Sequence, residues 1–378
     1  MDIQAFRASI PVLSEVTFFN TGASGPSPQP VIDAATDCLA YHKAKSPAAE
    51  GMYPAAAEAR EESRETIAAH LGVDPTELAL TESTSDAISA LAASIDWQLG
   101  DVIARTDLEH PAGVLPWQRA AKQEGATVRV IETNKGRIDR ESYREAVDDA
   151  RLVCFSSISW NYGTRLPVAE LVDIAHDADC AVLVDAVQSA GQTTMDLDSW
   201  GADYVAGSGH KWLLGPWGSG YLYVREGAET DLHPAQVCYS SVEDPDAVDY
   251  TLKPNAHRFE RGTASPAPHV GMAAAIDLVE SVGLDSIEAR IETLTGRLKT
   301  AIPDARLLSP DAFESGLVTI AVAEPESVVE TLKTQDIRIR SLPEPDAVRA
   351  SVHAFNTAEE VDALVAALET CGALDGPA

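Results

Sequence analysis

Two residues set the chemistry this chain could perform. Asp185 closes the apolar part of V-L-V-D-A-V-Q-S, and Lys211 follows twenty-six residues later within G-S-G-H-K-W-L-L-G-P-W-G-S-G. Most of the positive charge is arginine, so a lysine among Gly, Ser and His between two strand-like runs points to chemistry rather than solubility. A neutral lysine amine condenses with an aldehyde to form a Schiff base, and a carboxylate holds a pyridinium nitrogen protonated. Together they sketch a site for pyridoxal 5'-phosphate. Gln188, three residues after Asp185, can donate to the ring's phenolate oxygen. Lys211, once released by a substrate, would move the Cα proton as general base.

The phosphate of such a cofactor needs fixed donors. T-E-S-T-S-D at Thr81–Asp86 opens a predicted helix, Ser85–Ile95, so backbone N–H groups and the hydroxyls of Thr84 and Ser85 could cradle an anion. A simple N-cap role for Thr84 is compatible with this, because both uses share one geometry. Ser208 and His210, three and one residues before Lys211, are further donors, and His110, in E-H-P, is in place to stack on the ring face. The fingerprints of dinucleotide, nucleoside triphosphate, zinc-protease and serine-hydrolase sites are absent.

These residues must be brought together by regular elements. Leu78–Leu80, Val102–Ala104, Thr127–Ile131, Leu152–Phe155, Ala181–Val184, Tyr204–Ala206 and Tyr221–Val224 read as strands. Ser85–Ile95, Pro111–Glu124, Arg140–Asp149 and Val168–Asp179 carry helical periodicity between several of them. The alternation predicts an α/β fold with a mainly parallel sheet covered by helices on both faces, its ligand site at the C-terminal strand ends. After Val224, a polar stretch (Glu226–Asn255) leads to R-F-E-R-G-T, then helices near Pro268–Val282 and Leu284–Ala301. Strand-like Leu317–Val322 and Ile337–Ile339 and a closing helix, Ala358–Thr370, suggest a smaller α+β unit. The expected division is a large domain over residues 15–255 and a small one over 256–378 together with 1–14.

Bulk properties narrow the partners. With 59 acidic against 28 basic residues and a formal net charge of −31, nucleic acid is not an expected partner. The acids are spread along the chain, which favours a solvated surface adapted to high salt. No apolar segment is long enough to span a bilayer, and Met1–Arg7 lacks the pattern of a secretory signal. Five scattered cysteines without a C-x-x-C pair suggest reduced thiols, so a cytoplasmic location is expected.

The motifs resemble those of the class V aminotransferase family, the branch of fold-type I pyridoxal phosphate enzymes that contains cysteine desulfurases and C–S lyases. The likeness runs through F-F-N-T-G-A-S-G-P, T-E-S-T-S-D, G-D-V-I-A-R-T-D-L-E-H-P, N-Y-G-T-R-L-P-V, V-D-A-V-Q, S-G-H-K, R-G-T and V-R-A-S-V-H-A-F-N-T. The resemblance implies a seven-stranded large-domain sheet and a homodimer with shared active sites. It makes Lys211 the Schiff-base residue, Asp185 and Gln188 the ring partners, and His110 the stacking residue. Thr84, Ser85, Ser208 and His210 would hold the phosphate, and Thr263 would reach the phosphate of the other subunit. Arg349 would clamp a substrate α-carboxylate, with Asn20 a second substrate contact; either Trp160 or Asn161 would face the cofactor.

One departure bears on the reaction. Desulfurases of this family carry a nucleophilic cysteine on a loop before the clamping arginine. The corresponding stretch, Arg338–Ala347, is short and holds none; Cys238 and Cys371 lie elsewhere. The expected activity is therefore a C–S lyase acting on an L-α-amino acid of the cysteine or cystine type. An aminotransferase with a keto-acid acceptor is the alternative, a desulfurase the third reading, and a non-catalytic cofactor-binding protein the last.

Overall fold

The computed structural model describes residues 1–375. Seven of its strands form one sheet: β1 (Leu78–Thr81), β2 (Val102–Thr106), β3 (Thr127–Ile131), β4 (Ala150–Ser156), β5 (Ala181–Asp185), β6 (Tyr204–Ser208) and β7 (Gly220–Val224). Their order is β1-β7-β6-β5-β4-β2-β3. Only β7 runs against its neighbours; the others are parallel. These strands read as apolar runs because both faces are covered. Val153, Phe155, Val182 and Val184 face one helical layer, and Leu152, Cys154 and Leu183 the other.

The direction of winding reverses between β2 and β4. The chain steps from β2 outward to β3, then returns to the inner side of β2 and proceeds through β5 and β6. Such a switch point opens a crevice at the C-terminal strand ends, because the flanking connections leave in opposite directions. Asp185 ends β5, His110 follows β2, Thr84 follows β1 and Lys211 follows β6.

Local chemistry sets the boundaries that differ from expectation. The first helix of the sheet begins at Thr84, one residue early, because Ser83 caps it by accepting from Asp86 N–H at 3.1 Å. The predicted helix Pro111–Glu124 is broken into a 3₁₀ turn (Pro111–Gly113) and a helix (Leu115–Glu124), each opened by a proline. Glu226–Asn255 has neither helix nor strand.

The largest correction lies near the C-terminus. The stretch expected as a short loop, Arg338–Ala347, folds into a hairpin in which β9 (Arg340–Pro343) pairs with β10 (Asp346–Ser351). With β8 (Leu317–Ala321) they make an antiparallel sheet ordered β8-β10-β9. This sheet packs against the larger one through Gly316, where a Cβ would fall 2.6 Å from the Trp212 ring. It also takes up the N-terminal segment, since Ser351 N–H donates to Phe19 O at 2.7 Å.

A buried ion cluster braces the edge of the large sheet. Glu260 accepts from Arg64, from Arg60 at 2.9 Å and from Leu80 N–H at 2.9 Å. Burial alone would raise the Glu260 pKa, but Arg64, Arg60 and the Leu80 N–H outweigh it and hold the carboxyl down at about 2. Replacing Glu260 with Gln removes the counter-charge shared by buried Arg64 and part-buried Arg60 and should cost roughly 3–5 kcal/mol in denaturant unfolding at neutral pH. A depressed carboxylate stabilises the fold above its unfolded pKa and loses that contribution as pH falls toward the folded value. The gap between Glu260→Gln and the parent should therefore narrow from the ordinary value of 4.5 downward; a constant gap counts against the cluster.

Candidate active site

A cavity of about 200 Å³ opens at the C-terminal strand ends, and Thr84, Ser85, His110, Asp185, Gln188, His210, Lys211 and Arg349 all line it. Of the remaining expected residues, Ser208 meets the cavity only through His210: its hydroxyl lies 2.7 Å from His210 Nδ1 and 3.0 Å from Ser219 O. Asn20 is half-buried and bridges to Ser351, while the lining begins at Gly22. Thr263 is exposed, with its hydroxyl 3.1 Å from that of Tyr239.

The turn after β6 carries Lys211 into the cavity, and its amine hydrogen-bonds to none of the described residues. Burial lowers its pKa; Asp185 opposes this, Arg349 and Arg340 add to it, and the result is about 8. An ordinary lysine at 10.5 is almost wholly protonated at neutral pH, whereas this one is in part a free nucleophile. Asp185 is 3% exposed and accepts from Val187 N–H at 2.9 Å. Burial raises its pKa, with that hydrogen bond and Lys211 acting against the rise.

Gln188 is held on both sides. Its Oε1 accepts from Trp212 Nε1 at 2.8 Å, and one hydrogen of its Nε2 goes to Gly22 O at 3.0 Å. The second amide hydrogen is left for a ligand. Burial, followed by Lys211, Arg340 and Arg349, lowers the His110 pKa to about 4, so the ring is neutral. Its Nδ1 accepts from Ala112 N–H at 3.3 Å, which puts the ring proton on Nε2.

The donors suit an anion at one end of the cavity and a carboxylate at the other. Thr84 Oγ1 is buried with no partner among the described residues at the N-terminus of its helix, beside Ser85. At the other end Arg349 is fully buried, donates from Nη1 to Trp160 O at 2.6 Å, and leaves Nε and Nη2 unpartnered. Gly22 makes room for it; a Cβ there would lie 3.1 Å from Nη2. Burial and then Arg340 pull the Arg349 pKa down, but a guanidinium stays positive at neutral pH.

Several lining residues were not singled out from sequence. Arg340 sits directly opposite Arg349 across the β9–β10 ladder and lines the same cavity. Like charges so placed repel. Arg340 pairs with no carboxylate among the described residues; its guanidinium lies over the Trp160 ring at 5.9 Å. Alternation in I-R-I-R at Ile337–Arg340 was the available signal, and Pro343 and Pro345 obscured it. Of the two candidates near β4, Trp160 lines the cavity and meets His110 edge-on at 5.5 Å. Asn161 is buried, with its Nδ2 3.5 Å from Glu344 O.

Comparison with known proteins places this geometry. Residues 17–364 match the aminotransferase class-V family model. The chain belongs to the class V aminotransferase family. It is thus an α/β enzyme of fold type I that uses pyridoxal phosphate, in the branch of cysteine desulfurases and C–S lyases. A probable cysteine desulfurase of Pyrococcus abyssi is 30% identical over 384 residues, covering 96% of both chains. One of Halobacterium salinarum is 30% identical over 412 residues, covering 100% of this chain and 98% of its own. Among solved structures, the apo cysteine desulfurase of Thermococcus onnurineus NA1 is similar at a TM-score of 0.89, with 29% identity, covering 97% of this chain and 96% of its own. The cystine C–S lyase C-DES, in complex with its reaction product cysteine persulfide, also gives 0.89, with 28% identity and coverage of 95% and 98%.

The Lys211 environment sets a pH dependence. Incubating apoprotein with pyridoxal phosphate, trapping with borohydride and mapping peptides should label Lys211 at a rate that rises with pH and levels off near 8. A rate still climbing toward pH 10 would show a solvated lysine, and unchanged labelling in Lys211→Ala would remove the assignment.

Proposed function

We propose that this enzyme is a C–S lyase that cleaves the Cβ–S bond of a cystine- or cysteine-type L-amino acid. The observation that carries the reading is the β9–β10 hairpin: it brings two guanidiniums to the cavity and no thiol. A desulfurase needs a cysteine able to take sulfur from the substrate, and none lines this cavity. Two cations with unspent donors suit an amino acid that carries a second carboxylate, as cystine does.

Pyridoxal phosphate, when bound, supplies the electron sink that makes a Cα proton removable. The residues take the following parts. Lys211 would hold the cofactor aldehyde and then move the Cα proton. Asp185 would keep the ring nitrogen protonated, and Gln188 would offer its free amide hydrogen to the ring oxygen. Neutral His110 would serve as the stacking residue and add no charge. Thr84, Ser85 and His210 would hold the phosphate, with Ser208 orienting the His210 ring. Arg349 would take the α-carboxylate, and Arg340 the distal one. When the Cα proton leaves, the Cβ–S electron pair departs with sulfur, as hydrosulfide from cysteine or as a hydropersulfide from cystine. Water then releases the three-carbon remainder as pyruvate and ammonia.

Two copies complete the reading. Thr263 is exposed on the R-G-T segment, and the exposed rings of Tyr53 and Tyr239 meet edge-on at 6.4 Å beside it. We place this face at a homodimer interface, from which Thr263 reaches the partner's phosphate. Sedimentation velocity should give twice the chain mass of 40.2 kDa; a monomer at micromolar concentration removes the shared site.

The names of the curated relatives favour a second reading, cysteine desulfuration. One panel separates the possibilities. Loaded enzyme given cystine without a keto acid should produce pyruvate, and Arg349→Ala should lose about two orders of magnitude in kcat/KM. Arg340→Ala should weaken cystine far more than alanine-sized substrates. Turnover that strictly requires a keto acid would establish transamination. A reductant-labile persulfide on the protein would establish desulfuration.

A further inference from the structure

Glu109 is a buried acid to which the chemistry above gives no part. It follows β2, directly before His110, and is 6% exposed. Thr106 Oγ1 donates to its Oε1 at 2.6 Å and Ser156 N–H to the same oxygen at 3.0 Å, while Ser156 Oγ donates to Oε2 at 2.8 Å. No cation among the described residues pairs with it.

The position of these bonds matters. The β2–β4 ladder ends at Arg105 and Cys154, where the sheet splits open at the switch point. Thr106 and Ser156, the last residues of the two strands, lie just past that split. The Glu109 carboxylate fills the gap and supplies the acceptor that Ser156 N–H lacks in the ladder. On its other side it packs against the His110 turn: a Cβ at Gly113 would lie 3.1 Å from Oε2. Ser156 is also the register partner of Asp185 across β4 and β5. One carboxylate therefore touches the strand ends on both sides of the crevice and the turn that carries the stacking ring.

We propose that Glu109 is a positioning residue of this site: it clasps the open ends of β2 and β4, fixes the His110 turn against the cavity, and sets a second carboxyl behind Asp185. The titratable groups that face it are Asp185 on β5 and Cys154 on β4. Burial and then Asp185 raise its pKa to about 7 against the pull of its hydroxyl and amide donors, so the carboxyl is about half ionised at neutral pH and acts on the cofactor as a full charge only above it. Only the measurements on loaded protein rest on the cofactor assignment.

Two variants separate clasp from charge. Glu109→Gln keeps an oxygen for Ser156 N–H and an amide that can donate to Ser156 Oγ, so it retains the clasp and removes the charge. Glu109→Ala removes both. In apoprotein, amide exchange of the segments holding Ser156 and the turn 109–113 should speed up about tenfold in Glu109→Ala and stay near the parent rate in Glu109→Gln. With pyridoxal phosphate bound and no substrate, the pH titration of the visible absorbance should move to lower pH by about half a unit or more in Glu109→Gln, because losing a nearby negative charge disfavours the protonated form. The dissociation constant for pyridoxal phosphate should weaken about tenfold in Glu109→Ala and far less in Glu109→Gln. Unchanged exchange in Glu109→Ala overturns the clasp, and an unchanged titration in Glu109→Gln overturns the charge. The exchange measurement needs no cofactor, so a parent protein that failed to take up pyridoxal phosphate would sink the functional reading while the clasp stood or fell separately.

Discussion

Desolvation of Lys211 is the constraint on which the rest of this structure turns. An amine in water is almost wholly protonated at neutral pH and so a poor nucleophile for an aldehyde; the same amine part-buried in a cavity, near two guanidiniums, gives up its proton more easily. The cost of hiding it is limited by Asp185, whose carboxylate works against the loss of charge. A parallel sheet suits this arrangement because its strand ends are buried on both faces while the crevice above them stays open to a small ligand. The rigid apolar layers around β4, β5 and β6 are thus part of the chemistry, since they determine how much water reaches the amine.

Charge in the cavity is sorted by location. The carboxyls of Asp185 and Glu109 lie at the strand ends, whereas Arg340 and Arg349 come from the smaller sheet on the other side. Among the described residues neither arginine is paired with a carboxylate, and two of the Arg349 nitrogens have no partner. Leaving donors unspent in a buried place costs free energy that a bound anion would recover. The smaller sheet therefore supplies the cationic side of the cavity, while the larger sheet supplies Lys211 and Asp185.

Much of this was legible in the residues. All seven strands of the large sheet were recognisable because each is a short, mainly apolar run between turn-forming or helical segments. Lys211 and Asp185 stood out because their neighbours make sense only near a ligand. The hairpin was not legible: two prolines and a run of charges between Ile339 and Val348 look like a loop until the pairing partner is known. Arg340 was overlooked for that reason. Glu109 was passed over for another, since nothing beside it in sequence announces that it is buried; its hydrogen-bond partners come from the ends of two strands, one of them β4, nearly fifty residues on.

What the sequence by itself determined is the order of the elements and the Asp185–Lys211 pair that the fold brings into one cavity, because strand periodicity and local motifs are properties of neighbouring residues. The tertiary structure alone decided which distant groups share the cavity: that Trp160 rather than Asn161 lines it, that Ser208 acts on His210, that Arg340 stands opposite Arg349, and that Glu109 closes the split between β2 and β4. Those facts depend on register, on the switch in winding and on burial. Each arises from contacts between segments far apart in the chain, where no local pattern carries the information.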